Sequence, residues 1–327
     1  MSRIVLHVGT HKTATTHIQD LFFRNSDLLA KHGIVYPEIG LNRGHHGLLG
    51  KWVDLPAPYG LPQADAAMAW DAIVGEHAVS DRTVFLSSEE FSRLHGRIVD
   101  MAALAATVAP FDDVTVLCTL RNQAGFVQSV YQQIADDRAP MEWDAFLDRA
   151  MQAQHVDGLT LNYLRLHDHF LSGFAPDQIR FLSYEVASAG PGGIVGAILR
   201  ELGAPIGADA LEPFADGRSN VSVAPVATLA ATLIAAPKRA DRALMQRVDD
   251  HVRQVFGGER SSLFSAEEVS ALDAKYSPLN RRLEARLAPR QPDFRVAPVS
   301  VAPATVLRDR MDEAFWLPFC RDLAGFA

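Results

Sequence analysis

Three features of the 327-residue sequence predict an α/β protein: a three-layer α/β/α arrangement around a central parallel sheet, with a helical C-terminal part. Short apolar runs rich in β-branched residues recur through residues 1–222. Each is followed by a stretch whose apolar residues fall at helical spacing. Beyond 222 only the helical spacing continues. Strands that alternate with helices make parallel crossovers, which cover both faces of the sheet.

The first run, Ile4 to Val8, is short, β-branched and bounded by Gly9, as a buried strand should be. From Thr15, the spacing of Ile18, Leu21, Phe22, Leu28 and Leu29 predicts one helix closed by Gly33. The segment IVYPEIG reads as a short extended piece. Residues 40–62, dense in Gly and Pro, are expected to form an irregular lid or binding loop. A helix over QADAAMAWDAIVGEHAV precedes a strand from Thr83 to Leu86, and another helix is expected over 99–109. Then come the strand DVTVLCTLRN, the helix AGFVQSVYQQIADD, the strand QIRFLSYE and the helix GGIVGAILRELG, which Gly203 ends. The whole of 1–327 is expected to be one domain, with an α/β core over 1–222 and a helical extension over 223–327. Within that extension the Pro- and Val-rich residues 287–305 are expected to form an extended surface arm.

At 48% apolar and 21% charged residues the chain can bury an ordinary core. A net charge of −8 opposes general nucleic-acid binding, because phosphates would be repelled. The two cysteines, Cys118 and Cys320, fit neither a metal spacing nor a disulfide framework, so a reducing compartment and no metal are expected. The N-terminus lacks a signal-peptide pattern, and no apolar stretch approaches the roughly 18 residues of a membrane span. The expectation is a cytoplasmic protein. The oligomeric state stays open, with a homo-oligomer compatible.

Chemistry concentrates in VLHVGTHKTATTHIQ, Val5 to Gln19. The loop after the first strand lies at the carboxyl end of a parallel sheet, where ligands bind. The N–H groups and partial positive charge of the following helix attract anions. Lys12 adds an ammonium, and Thr10, Thr13, Thr15 and Thr16 add hydroxyls. A plain turn with one capping Thr is the simpler alternative, but four hydroxyls around a Lys exceed what a cap needs. The loop also departs from the triphosphate pattern G-x-x-x-x-G-K-[ST]: Lys12 sits mid-loop, and the strand DVTVLCTLRN ends in Arg121 rather than a metal-holding Asp. A metal-free site for a lone phosphate follows.

The stretch HKTATT, His11 to Thr16, resembles the 5′-phosphosulfate loop of the sulfotransferases that use 3′-phosphoadenosine-5′-phosphosulfate, roughly P-K-[ST]-G-[ST]-[ST]. His11 stands in place of the Pro and Ala14 in place of the Gly. An independent second stretch, LRNQAGFVQS, resembles that family's 3′-phosphate site: Arg121 ends a strand, Asn122 follows, and Ser129 stands eight residues beyond Arg121. Arg suits the role because its forked donors grip a phosphate; alone, such an Arg would more simply pair with a surface carboxylate. Two fainter echoes implicate Tyr184, in FLSYEVAS, as a pocket residue and Arg218, in FADGRSNVS, as a further phosphate contact. The resemblance spans about residues 3–222. It implies a fold like that of the P-loop nucleoside-triphosphate hydrolases and a sulfuryl transfer from that donor to a glycan or small-molecule hydroxyl. Lys12 would stabilise the leaving phosphate.

The acceptor proton needs a base. The resemblance places a His or Glu near a second strand end, where this chain has FLSSEEF. Glu89 and Glu90 should point apart, and Glu89 is the better match to the family's glutamate. The plainer alternative sets both in the first turn of a helix behind Ser87 or Ser88. His45 and His46, in GHHG, are rival bases whose ordinary pKa of about 6.5 suits the task. His7 is expected in the core and His17 on the surface. An ATP-dependent kinase or nucleotide-binding protein is the competing reading, and a non-catalytic binder of phosphorylated ligands a third.

Overall fold

The computed structural model describes residues 1–39, 42–56, 59–213, 223–302 and 305–324. Its described residues form two compact units. The first takes in Met1–Asn122, Gly158–Asp216 and Leu279–Ala297, the second Gln123–Asp157, Gly217–Pro278 and Pro298–Ala327.

The first unit is built on five parallel strands: β1 (Arg3–His7), β2 (Ile34–Val35), β3 (Thr83–Ser87), β4 (Asp113–Leu120) and β5 (Ile179–Ser183). Their order across the sheet is β2-β3-β1-β4-β5. The central strand β1 carries apolar residues on both faces, as a doubly covered strand must. Ile4 and Leu6, with Val8 just beyond the strand, meet one core, while Val5 meets the other. The first core is closed by Trp70 of α3 (Gln63–His77), Leu104 and Val108 of α4 (Met101–Val108), and Leu166 and Phe170 of α7 (Tyr163–Leu171). The second is closed by Ile18 and Phe22 of α1 (Thr15–Arg24), Leu29 of α2 (Ser26–Lys31) and Ile198 of α9 (Gly193–Glu201). The three-layer α/β/α expectation is met.

Three local expectations are corrected. The helix from Thr15 to Gly33 breaks at Asn25, whose amide donates to the Leu21 carbonyl at 2.8 Å and accepts from the Glu212 N–H at 2.9 Å. An Asn that can satisfy its own backbone competes with the helix. Residues 40–62 are not wholly irregular: His46–Lys51 form a 3-10 helix, because Leu48 and Leu49 bury in the first core and Leu48 accepts the Trp70 indole N–H at 3.1 Å. The stretch expected as a surface arm buries Phe294 and Val296 in that same core. Its Gln291 accepts from the Phe181 N–H at 2.9 Å and donates to the Ile179 carbonyl at 3.1 Å. That amide closes the open edge of β5, which would otherwise leave strand groups unpaired.

The second unit is helical. It comprises α5 (Gln123–Asp137), α6 (Trp143–Ala153), α10 (Pro225–Ala235), α11 (Arg242–Phe256), the first part of α12 (Ala266–Leu287) and α13 (Glu313–Leu323). Val226, Ala230, Val248, Val252, Phe315 and Phe319 form one of its cores. Asp241 caps α11 by accepting from the Leu244 N–H at 2.8 Å, and Gly257 ends it in a left-handed conformation. The remaining short helix, α8 (Tyr184–Ala189), follows β5 directly in the first unit. Among the described residues, no helix is long and apolar enough to cross a membrane.

Candidate active site

The connection from β1 leads toward β2, while β4 leads toward β5. The carboxyl ends of β1 and β4 are therefore the switch point of the sheet, the place at which such sheets bind ligands. Sheet pairing continues into the loop there. The Val8 N–H donates to the Leu117 carbonyl at 2.9 Å and the Thr10 N–H to the Thr119 carbonyl at 2.7 Å. The loop then turns back through two left-handed residues, Lys12 and Ala14, both at φ 62°. The first bond of α1 runs from the Ile18 N–H to the Ala14 carbonyl at 3.0 Å. The N–H groups of Thr15, Thr16 and His17 thus have no helical carbonyl, and Ala14 at the cap position offers them no side-chain acceptor. They form an anion-attracting helix end beside Lys12.

The four hydroxyls divide. Thr10 donates to the Thr119 carbonyl at 3.1 Å and Thr13 to the Thr10 carbonyl at 2.5 Å, so these two fasten the loop to itself and to β4. Thr15 is buried and Thr16 exposed at the helix start, as is His17, which meets its surface expectation.

Arg121 ends β4 and donates to the Lys12 carbonyl at 3.0 Å. Its guanidinium lies 5.2 Å from the centre of the Tyr184 ring, at the start of α8. Lys12, Arg121 and Tyr184, singled out from separate stretches, therefore meet. Two residues not singled out hold them. Tyr163 at the start of α7 donates its hydroxyl to the Arg121 carbonyl. Glu185 accepts from the Asn122 N–H at 3.0 Å and its side-chain amide at 2.7 Å. Ser129 stands on α5 in the second unit. Arg218 lies outside the described residues.

At the end of β3, Glu89 and Glu90 both lie in the first turn of a short 3-10 helix, Glu89–Ser92, behind Ser88, as the plainer alternative has it, although Ser88 makes no side-chain cap bond and the two carboxylates take different partners. Glu89 packs on Gly9 so closely that a Cβ there would lie 2.7 Å from the Glu89 Cβ. It accepts from the Gln19 amide at 2.9 Å. Burial works to raise its pKa. The neighbouring His11 and His46 rings, a backbone N–H and the Gln19 amide outweigh burial and hold it below the ordinary carboxylate value. Glu90 is tied up otherwise, accepting from Arg93 at 2.6 Å and pairing with His11 at 3.1 Å. Against burial, those partners hold it ionised down to about pH 2.

The two loop histidines separate. His45 is buried, donating from Nε2 to the Pro37 carbonyl at 2.8 Å while Nδ1 accepts from the Ser87 N–H at 2.9 Å. Burial lowers its pKa to about 4, so it is a neutral structural brace. His46 bonds through Nδ1 with the Ser88 hydroxyl at 2.8 Å and lies close enough to act on the Glu89 charge. His7 is a core residue as expected, but only half satisfied. Its Nδ1 meets the Ser87 hydroxyl at 2.9 Å, Nε2 is buried without a partner, and burial lowers its pKa to about 4. Gln19, which steadies Glu89, was visible only as a polar residue at a buried helical position beside Ile18 and Phe22. Among the described residues, no group of three or more His, Cys, Asp or Glu side chains could hold a metal.

No family model and no curated protein matches the chain. Among solved structures it is similar to the crystal structure of a sulfotransferase from Alicyclobacillus acidocaldarius, at 16% identity, covering 88% of this chain and 96% of that one, with a TM-score of 0.50. At that identity the likeness establishes a shared fold.

Proposed function

We propose that the chain is a sulfotransferase that moves the sulfuryl group of 3′-phosphoadenosine-5′-phosphosulfate to a hydroxyl of a glycan or small-molecule acceptor, without a metal. The observation that carries this reading is the meeting of the Lys12 loop, Arg121 and Tyr184 at the carboxyl ends of β1, β4 and β5. The residues suit the donor. The open helix end and Lys12, with Thr15 and Thr16, would hold its 5′-phosphate, Arg121 its 3′-phosphate, and Tyr184 would line the pocket. The bound donor supplies a sulfuryl group on a phosphate leaving group.

In the transfer, the acceptor O–S bond forms as the S–O bond to the 5′-phosphate breaks. Lys12 and the N–H groups of α1 stabilise the charge gathering on the leaving oxygen. Glu89, ionised at neutral pH, takes the acceptor's proton. His46 supports the ionised form of Glu89 from the Ser88 side.

Calorimetric titration with 3′-phosphoadenosine-5′-phosphate, against ADP and ATP and with magnesium omitted, tests the donor site. Micromolar binding of the 3′-phosphorylated nucleotide alone, lost in Arg121→Ala, is the expected result. Preference for ATP with magnesium would replace this reading with that of a kinase.

A further inference from the structure

The acceptor side of the site carries an excess of positive charge that donor binding does not use. After Glu89 and Glu90 the chain places Arg93, His95 and Arg97 within one short stretch. Glu90 is the carboxylate that Arg93, at 2.6 Å, and Arg97, at 3.9 Å, share with His11, at 3.1 Å. The start of α7 joins the same edge, because the Tyr163 hydroxyl reaches the Arg121 carbonyl. The turn just before it lies against the cluster, since a Cβ on Gly158 would sit 3.3 Å from Arg93 Nη1 and 3.4 Å from the His95 carbonyl. Arg165, two residues beyond Tyr163, is exposed and makes no ion pair among the described residues. With burial, its charge also holds His95 below the ordinary histidine value. Two guanidiniums thus share one carboxylate, and a third lies close enough to act on the neighbouring His95, on a chain of net charge −8. Like charges repel one another unless an anion joins them, and guanidinium forks suit carboxylate and sulfate oxygens.

Resting on the sulfotransferase reading, we infer that the acceptor is itself anionic, a hydroxyl compound already bearing a carboxylate or sulfate that Arg97 and Arg165 bind beside Glu89. Arg93, committed to Glu90, fixes the floor of this subsite. The neutral part of the acceptor then presents its hydroxyl to the Glu89 carboxylate.

The test is calorimetry on the full chain saturated with 3′-phosphoadenosine-5′-phosphate. The probes are an O-sulfated uronic-acid disaccharide and its desulfated, carboxyl-reduced counterpart. The expected result is binding of the charged disaccharide at least about tenfold tighter than the neutral one, weakened by added salt. That preference disappears in Arg97→Gln/Arg165→Gln, while nucleotide affinity and the thermal midpoint stay unchanged. Equal binding of both disaccharides, or none of the charged one, overturns the inference. So does a fall in nucleotide affinity in the double variant, which would assign these arginines to the donor. Failure of the wild-type protein to bind the nucleotide at all would instead strike the sulfotransferase reading, and would be seen before any disaccharide is added.

Discussion

Ala14 occupies a left-handed conformation at the position where the resembling loop has Gly. An L side chain there costs about 1–2 kcal/mol, and Gly relieves it at some entropic expense in the unfolded chain. Ala14→Gly should therefore stabilise the fold by about 1 kcal/mol, read as a higher thermal midpoint, without weakening nucleotide binding. Glu89→Gln keeps the Gln19 contact within reach but cannot take a proton. Turnover should fall by about a hundredfold to ten-thousandfold while nucleotide affinity holds. Gln19→Leu, which frees the Glu89 carboxylate to reorient, should lower kcat and move the acidic limb of the pH–rate profile upward, since the amide helps keep that carboxyl ionised. A profile unchanged in this variant would remove Gln19 from the account. That Lys12 and Arg121 lie together could be expected from the sequence, because their residue types and spacing suit phosphate chemistry. Gln19, Tyr163 and Glu185 could not, because their roles depend on partners distant in sequence.

Individual elements carry the stability predictions. His7 on β1 and His45 before the 3-10 helix are both buried, with pKa values lowered to about 4 from an ordinary 6.5. Between those values the unfolded chain holds more protons than the folded one. Stability should thus fall as pH drops from about 6.5 to about 4, by on the order of 3 kcal/mol for each ring. Urea unfolding near neutrality and at about pH 5 measures this, and His45→Asn should flatten the dependence. Gln291→Ala should cost about 1–3 kcal/mol, because it strands the Phe181 N–H and the Ile179 carbonyl at the β5 edge. An unchanged unfolding midpoint would show that water replaces the amide. The strands were readable from apolar runs of the right length. The break at Asn25 and the burial of Gln291, Phe294 and Val296 were not, since side-chain amides pairing with backbone far along the chain accompany both.

For the molecule as a whole, the alternation of strands and helices was enough to give the parallel sheet, and with it the end of the sheet where chemistry belongs. Sheet order decided the rest. By placing β1 between β3 and β4, it brings the Lys12 loop, Arg121 and Glu89 to one edge. The central claim is sulfuryl transfer at that edge, and incubation with radiosulfur-labelled donor and a panel of carboxylated and sulfated hydroxyl acceptors tests it most directly. The account predicts a labelled acceptor formed by the wild-type chain with magnesium chelated, and none formed by Lys12→Ala. No labelled product from any acceptor, together with transfer of phosphate from ATP when magnesium is supplied, would contradict it.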